Sequence, residues 1–190
     1  MTTRKRFKRD DWLQLGLAQL AKDGAAGLTV EALCKSAGRT RGSFYHHFED
    51  HDGFLEALLT AWKQQNTIDV ADQILGHQLQ DRAQMLSDLA NHLDQDLERA
   101  VRQFAQSNTI ARETVRDVDR IRTDFVIELY VEEGLTKEEA RDIAQLEYAA
   151  FVGSQIVWPE MTSQQRFNLD RRFASMVRKT FGLARAAEEN

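Results

Sequence analysis

The residues best equipped for chemistry crowd into one short stretch. From Gly38 to Asp52 the chain reads "GRTRGSFYHHFEDHD", which gathers Arg39, Thr40, Arg41, Ser43, Tyr45, His46, His47 and His51 around Phe44 and Phe48. Four chemistries could use such a set: metal ligation, nucleophilic catalysis, a polar corner around buried rings, or recognition of an anion. Metal ligation fails on spacing. His46 and His47 are adjacent and diverge by about 100° on a helix, whereas i, i+4 pairs can hold one ion. His47 and His51 have that separation, but Asp50 or Asp52 is placed to start a new helix between them. Catalysis lacks a partner: no Ser-His-Asp or Cys-His arrangement is nearby, and the lone Cys34 sits on an apolar stripe. A polar corner accounts for Tyr45 and His47 but not for a whole exposed face without a carboxylate.

Anion recognition accounts for that face. If Thr40 caps a short helix with Phe44 and Phe48 inward, then Gly42, Ser43 and His46 point outward, with Tyr45 and His47 on the flanks and Arg41 at the exposed start. Such groups suit base edges and phosphate oxygens, arginine suits guanine, and Gly42 leaves room for close approach to a groove.

The neighbouring elements must hold this helix. Leu13, Leu17, Leu20 and Ala21 mark one face of a first helix, with Gly16 on the same stripe where a neighbour can come close, and Gly24 and Gly27 end it. Thr29 caps a second helix with Val30, Leu33, Cys34 and Ala37 on one side, and Gly38 follows where a left-handed residue is wanted. A fourth helix presents Phe54, Leu55, Leu58, Leu59 and Trp62. Residues 29–48 therefore read as a helix-turn-helix, its short third helix propped by the first and fourth.

The rest of the chain is helical too. Of 190 residues only Pro159 is proline, and Ala, Leu, Glu, Gln and Arg abound, which predicts an all-α fold. Apolar periodicity marks further helices over 79–93, 96–106, 109–133, 136–158 and 163–182, about nine in all, with caps expected at Asn108 or Thr109, Thr136, and Thr162 or Ser163. No apolar run reaches the roughly 20 residues of a membrane span. The charged start "MTTRKRFKRDDW" has no apolar stretch behind it and does not read as a secretory signal. A single cysteine excludes an internal disulfide framework and fits the reducing cytoplasm, the expected location. Charge is uneven. Residues 1–48 carry nine Lys+Arg against four Asp+Glu, a net of +5; residues 49–190 carry 16 against 26, a net of −10, and together they make the chain's −5. Only the front end is suited to a polyanion, and Arg4, Lys5, Arg6, Lys8 and Arg9 are expected to add phosphate or minor-groove contacts.

The run "LTVEALCKSAGRTRGSFYHHFEDHDGFLEALL" resembles the DNA-binding domain of the TetR family of bacterial transcriptional regulators, over about residues 8–62. The resemblance implies a homodimer that binds a palindromic operator, with a C-terminal helical domain that takes a small-molecule effector and releases the DNA. By the same resemblance Arg41, Gly42, Ser43 and His46 match positions that face bases, Thr40, Tyr45 and His47 match phosphate or backbone contacts, and Thr29 matches the hydroxyl that opens the second helix. The sequence departs from the family at three places. Arg39 stands in the turn where a small or aliphatic residue is usual. His51 stands where lysine usually meets phosphate. Glu49, Asp50 and Asp52 make an unusually acidic start to the fourth helix.

The expected organisation is a helix-turn-helix DNA-binding domain over 1–50 and a helical effector-binding and dimerisation domain over 51–190. Leu146, Ala149, Ala150, Gly153 and Val157 form a small-residue stripe. Leu169, Phe173, Met176 and Val177 form a second, and two such helices from each subunit could build an intersubunit four-helix bundle. Both stripes could equally be core within one chain. Trp62, Met85, Leu89, Phe104, Phe125, Leu129 and Phe151 are candidates for an effector pocket, against the plainer alternative of ordinary core. The stretch 98–140 also resembles a C-terminal subgroup of these regulators, and its Asp119-Arg120 pair reads as structural. Asp88, His92 and Asp96 fall at i, i+4, i+8 and could attract a cation, though a solvated face explains them as well. No cofactor and no metal is expected. The leading expectation is a repressor, not an enzyme. Two alternatives stand beside it: a ligand-independent architectural or interaction protein with the same front end, and a small helical enzyme, which would need a convergent polar constellation in the C-terminal half.

Overall fold

A computed structural model describes residues 7–183, and among these every regular element is helical. In chain order they are α1 (Arg9–Asp23), a 3-10 segment (Gly24–Leu28), α2 (Val30–Ala37), α3 (Arg41–Tyr45), α4 (His51–Lys63), a π turn (Gln64–Ile68), α5 (Asp69–Leu75), α6 (Leu79–His92), α7 (Gln95–Phe104), α8 (Thr109–Glu132), α9 (Lys137–Val157) and α10 (Ser163–Phe181). The π turn joins α4 to α5 without a break. Taken as one continuous helix, they bring the described helices to the nine expected.

The ends of these helices follow local chemistry. Thr29, Thr40 and Asp50 accept from the backbone N–H three residues on, at 3.2, 3.3 and 2.7 Å. Asn108, not Thr109, caps α8 through Ala111 N–H, and Thr136 and Thr162 head capping boxes with Glu139 and Gln165. Gly38 ends α2 at φ 60°, ψ 39°, a backbone that glycine adopts without strain.

The chain forms two compact units. The first runs to Gln64 and takes in Asp94–Arg116; the second holds Gln65–Leu93 and the chain from Asp117 onward. The sequence reading divides the chain functionally at residue 50, whereas by packing α4 and α7 go with α1. In the first unit Trp12, Leu20, Phe44, Phe54, Leu58 and Trp62 are fully buried. Phe44 meets Trp12, Phe48 and Phe54 at ring separations of 5.4, 5.1 and 5.2 Å. Gly16 allows α1 to approach α4: a Cβ there would stand 2.8 Å from Leu58 and Phe54 carbons. Trp62 Nε1 donates to the buried Glu98 at 3.0 Å. The second unit packs α8, α9 and α10 around Val126, Ile127, Tyr130, Ala140, Ala144 and Val177.

Candidate nucleic-acid interface and ligand cavity

Helix α3 is only five residues long, so its orientation comes from its neighbours. Phe44 anchors it in the aromatic core from one side, and the Gly38 turn sets its entry from α2. Arg41, Gly42, Tyr45 and His46 are then exposed, Tyr45 by half of its surface, while Ser43 and His47 are partly covered. Nothing but Thr40 Oγ1, at 3.8 Å, comes near a Cβ built on Gly42, so the helix presents a flat spot. Helix α3 itself carries no acid. Glu31 of α2 stands 3.8 Å from the Arg41 guanidinium, in a pair so exposed that water and salt weaken it.

Several expected phosphate contacts serve the fold in this structure. His51 Nε2 donates to the Leu28 carbonyl at 2.9 Å and ties the start of α4 to the end of the 3-10 segment. His47 Nε2 donates to the Phe7 carbonyl at 3.2 Å. Phe7 in turn sets its ring edge-on to Trp12 at 4.9 Å and lies beneath the Arg39 guanidinium at 5.6 Å. This accounts for arginine in the turn. Arg39 packs on the residue that follows the basic segment, and Arg9 lies over Phe48 at 5.4 Å. The expected contacts of Arg4, Lys5 and Arg6 fall outside the described residues. Thr29 and Thr40 act as caps, as above. Burial pushes the Cys34 thiol up, against a smaller opposing pull from Arg41, which suits a packed side chain and not a nucleophile.

The second unit holds a partly open cavity of about 90 Å³. Of the seven expected pocket residues, Phe125 and Phe151 line it and five do not. Trp62 and Phe104 are core of the first unit. On α6 the wall is made by Leu86 and Ala90, one position on from Met85 and Leu89; a step of one residue turns the side chain by about 100°. Leu129 is buried elsewhere in the packing of α8. Sequence reasoning missed the polar lining. Asn66 and Thr67 come from the π turn, Ser87 from α6, Arg122 from α8, Glu147 and Tyr148 from α9 and Asp170 from α10. The one legible sign was Glu147, a carboxylate set inside the mostly apolar run from Leu146 to Phe151. Arg122 donates to Thr67 Oγ1 at 3.1 Å and the Asn66 carbonyl at 3.0 Å, which clamps the π turn. Tyr130 OH donates to Glu147 at 2.6 Å, and Asp170 accepts from Ser87 Oγ at 3.0 Å and Asn91 Nδ2 at 2.6 Å. Desolvation raises the Glu147 carboxyl to about 7, with Asp170 and Glu133 adding to the rise and the Tyr130 bond and Arg178 opposing it; burial raises Asp170 as well. Asp119 accepts from Tyr148 OH at 2.7 Å and Arg120 pairs with Asp117, both structural contacts.

Two further expectations are corrected by the backbone. Asp88 and His92 belong to α6 but Asp96 to α7, because Leu93 and Asp94 leave the helical conformation between them; the three share no helix face. Among the described residues no three potential ligands gather for a metal. Val177 is core, and Phe173 packs against the same cluster. The apolar arc of α10 is wide, and only its Leu169–Met176 edge is exposed. On α9, Leu146, Ala149, Ala150 and Val157 are exposed and Gly153 is partly so.

Fold and interface together define an all-helical protein with a helix-turn-helix at its front and a cavity-bearing helical unit behind it in sequence. Residues 13–58 match the model of the family described as bacterial regulatory proteins, tetR family. Over those residues the chain carries a DNA-binding domain of the tetR type. It is 38% identical over 52 residues to the HTH-type transcriptional repressor KstR2 of Mycolicibacterium smegmatis, a match that spans 27% of this chain and only 25% of that repressor. Among solved structures it resembles a transcriptional regulator from Rhodococcus sp. Rha1, with a TM-score of 0.76, 16% identity and 91% and 97% of the two chains covered. It also resembles the ketosteroid transcriptional regulator KstR2 of Mycobacterium tuberculosis, with a TM-score of 0.57, 18% identity and 97% of each chain covered. At these identities the structural likeness is one of fold.

Proposed function

We propose that this protein is a cytoplasmic transcriptional repressor that binds a palindromic operator as a homodimer and releases it when a small molecule fills the cavity of the second unit. The observation that carries the reading is the exposed face of α3, where Arg41, Gly42, Tyr45 and His46 offer donors, acceptors and close approach with no carboxylate on the helix. The name of the M. smegmatis relative, a repressor, points the same way. The proposed DNA contacts are Arg41, Gly42, Ser43 and His46 to bases, with Thr29, Arg39, Thr40 and Tyr45 along the backbone. His47 and His51 support them by holding Phe7 and Leu28. A helix of five residues reads few bases, so two copies must reach successive major grooves, about 34–36 Å apart.

Helix α9 supports the dimer. It is apolar on two sides: Ala140, Ala144 and Phe151 face the unit's own packing, while Leu146, Ala150 and Val157 are exposed, with Leu146 and Val157 each about three-fifths open. Leu169 and Met176 of α10 are exposed too. A second copy is the occupant that such a pair of stripes fits. The cavity favours a ligand-responsive protein over a ligand-independent architectural one. Helix α4 runs through the π turn into α5, whose residues line that cavity, and α8 runs from the first unit to the cavity wall, so both are covalent routes by which occupancy can reach the first unit.

Selection from random duplexes tests the reading. It should enrich a palindrome, and Arg41→Ala should relax preference at one base position per half-site, by about 1–3 kcal/mol. Enrichment of no palindrome would sink the proposal. Ala150→Glu and Gly153→Glu should give folded monomers that lose the operator, since a Cβ on Gly153 meets nothing within 4 Å in the single chain. A parent that runs as a monomer in light scattering would remove the dimer from the scheme.

A further inference from the structure

We propose that the cavity takes a cationic effector: a small molecule with an apolar, ring-sized body and a protonated amine held between Glu147 and Asp170. The inference rests on the reading of the second unit as effector-binding and names the chemistry of that effector. The body is set by the wall, where Val70, Ile74, Leu86, Ile121, Phe125 and Phe151 supply apolar surface. The charged end is set by two carboxylates brought to one cavity from different helices, Glu147 of α9 and Asp170 of α10. Each has one oxygen occupied by the protein. Tyr130 OH holds Oε2 of Glu147, and Ser87 and Asn91 hold Oδ2 of Asp170. The second oxygen of each acid has no hydrogen-bond partner among the described residues.

The cation on the wall, Arg122, is turned to another task. Its Nε donates to Thr67 Oγ1 and its Nη2 to the Asn66 carbonyl. Two more arginines stand behind the acids but off the wall: Arg178, 3.6 Å from Glu133, and Arg166, which draws Asp170 toward its charged form. The raised affinity of both acids for a proton fits the same picture, because a cavity that holds two carboxylates near each other, with no cation on its wall turned to them, favours a proton on one of them. An ammonium would fill that place with charge and up to three N–H donors. A carboxylate or phosphate ligand would bring a further negative charge into a low-dielectric space and would be rejected.

Three probes of one shape separate the possibilities: 2-naphthylmethylamine, 2-naphthylmethanol and 2-naphthoate, titrated calorimetrically into the full chain at about pH 8, where amine and acid are both ionised. The amine should bind at least tenfold tighter than the naphthoate, with the alcohol between. Glu147→Gln and Asp170→Asn should each weaken the amine by at least tenfold and narrow its lead over the naphthoate. Naphthoate binding as tightly as the amine overturns the proposal, as does an amine with no measurable heat or one that binds both variants as it binds the parent. The parent's amine-to-naphthoate ratio decides the matter even if a variant fails to fold. None of these outcomes bears on the selection of a palindrome, so failure here leaves the DNA-binding reading standing.

Discussion

The two units use their aromatic residues in opposite ways. In the first, Phe7, Trp12, Phe44, Phe48 and Phe54 meet ring to ring at about 5 Å, and the side chains of α3 that point out of this packing are those we propose for DNA. In the second, Phe125, Tyr148 and Phe151 stand around an open space and share its wall with two acids. A surface that reads a rigid partner needs a fixed backbone beneath it, and dense edge-to-face packing provides one. A unit that must respond to a ligand needs the reverse: room, walls that adjust, and polar groups left with unused capacity.

The largest expected effect follows from that contrast. Phe44→Ala removes the hub of the first core and should lower stability by about 3–5 kcal/mol in urea unfolding, with loss of operator binding. Phe151→Ala borders existing space and should cost less than half as much. Equal losses from the two substitutions would break the comparison.

A second effect sharpens it through pH. The folded carboxyl of Glu147 is raised from the ordinary 4.5 to about 7, chiefly by burial, so the folded state keeps a proton that the unfolded chain releases. The benefit is whole below about 4.5 and is lost as pH climbs to about 7, a decline on the order of 1–3 kcal/mol from this group alone. Glu147→Gln should flatten the thermal-stability profile over that window. A profile with the same slope in parent and variant would show that Glu147 is not held in this state.

The smallest effect concerns the anchor of the N-terminal segment. Arg39→Ala removes the guanidinium from the Phe7 ring, an interaction of about 0.5–2 kcal/mol at this partly buried site. If Phe7 steers the basic residues before it onto phosphate, the slope of log K against log salt should become shallower in this variant, by about 0.9 for each phosphate no longer neutralised. An unchanged slope would confine Arg39 to packing.

Much of the first unit was legible because its signals are local. Thr29, Gly38, Thr40 and Asp50 each act within three or four residues of themselves, as do the capping boxes at Thr136 and Thr162. Gly16 was readable as a close approach because a glycine on an apolar helical stripe has few other reasons to be there. The π turn at Gln64–Ile68 was not legible, since it depends on Arg122, more than fifty residues away, reaching Asn66 and Thr67. Nor were the roles of His47 and His51. A histidine in a motif reads as a DNA contact until Phe7 and Leu28 are seen beside it.

By itself the sequence determined the all-helical class, most of the helices though not α5, the caps at Thr29, Thr40, Thr136 and Thr162, the helix-turn-helix and the exposed chemistry of α3. Those follow from periodicity, caps and glycine conformations, which neighbouring residues decide. Only the tertiary structure decided that Leu86 and not Met85 faces the cavity, that Val177 is core while Met176 is exposed, and that Glu147 and Asp170 meet across one space. A rotation of one residue on a helix changes each of these outcomes. Periodicity defines an apolar arc that is often wider than one contact, and the packing of the other helices selects which part of the arc is covered.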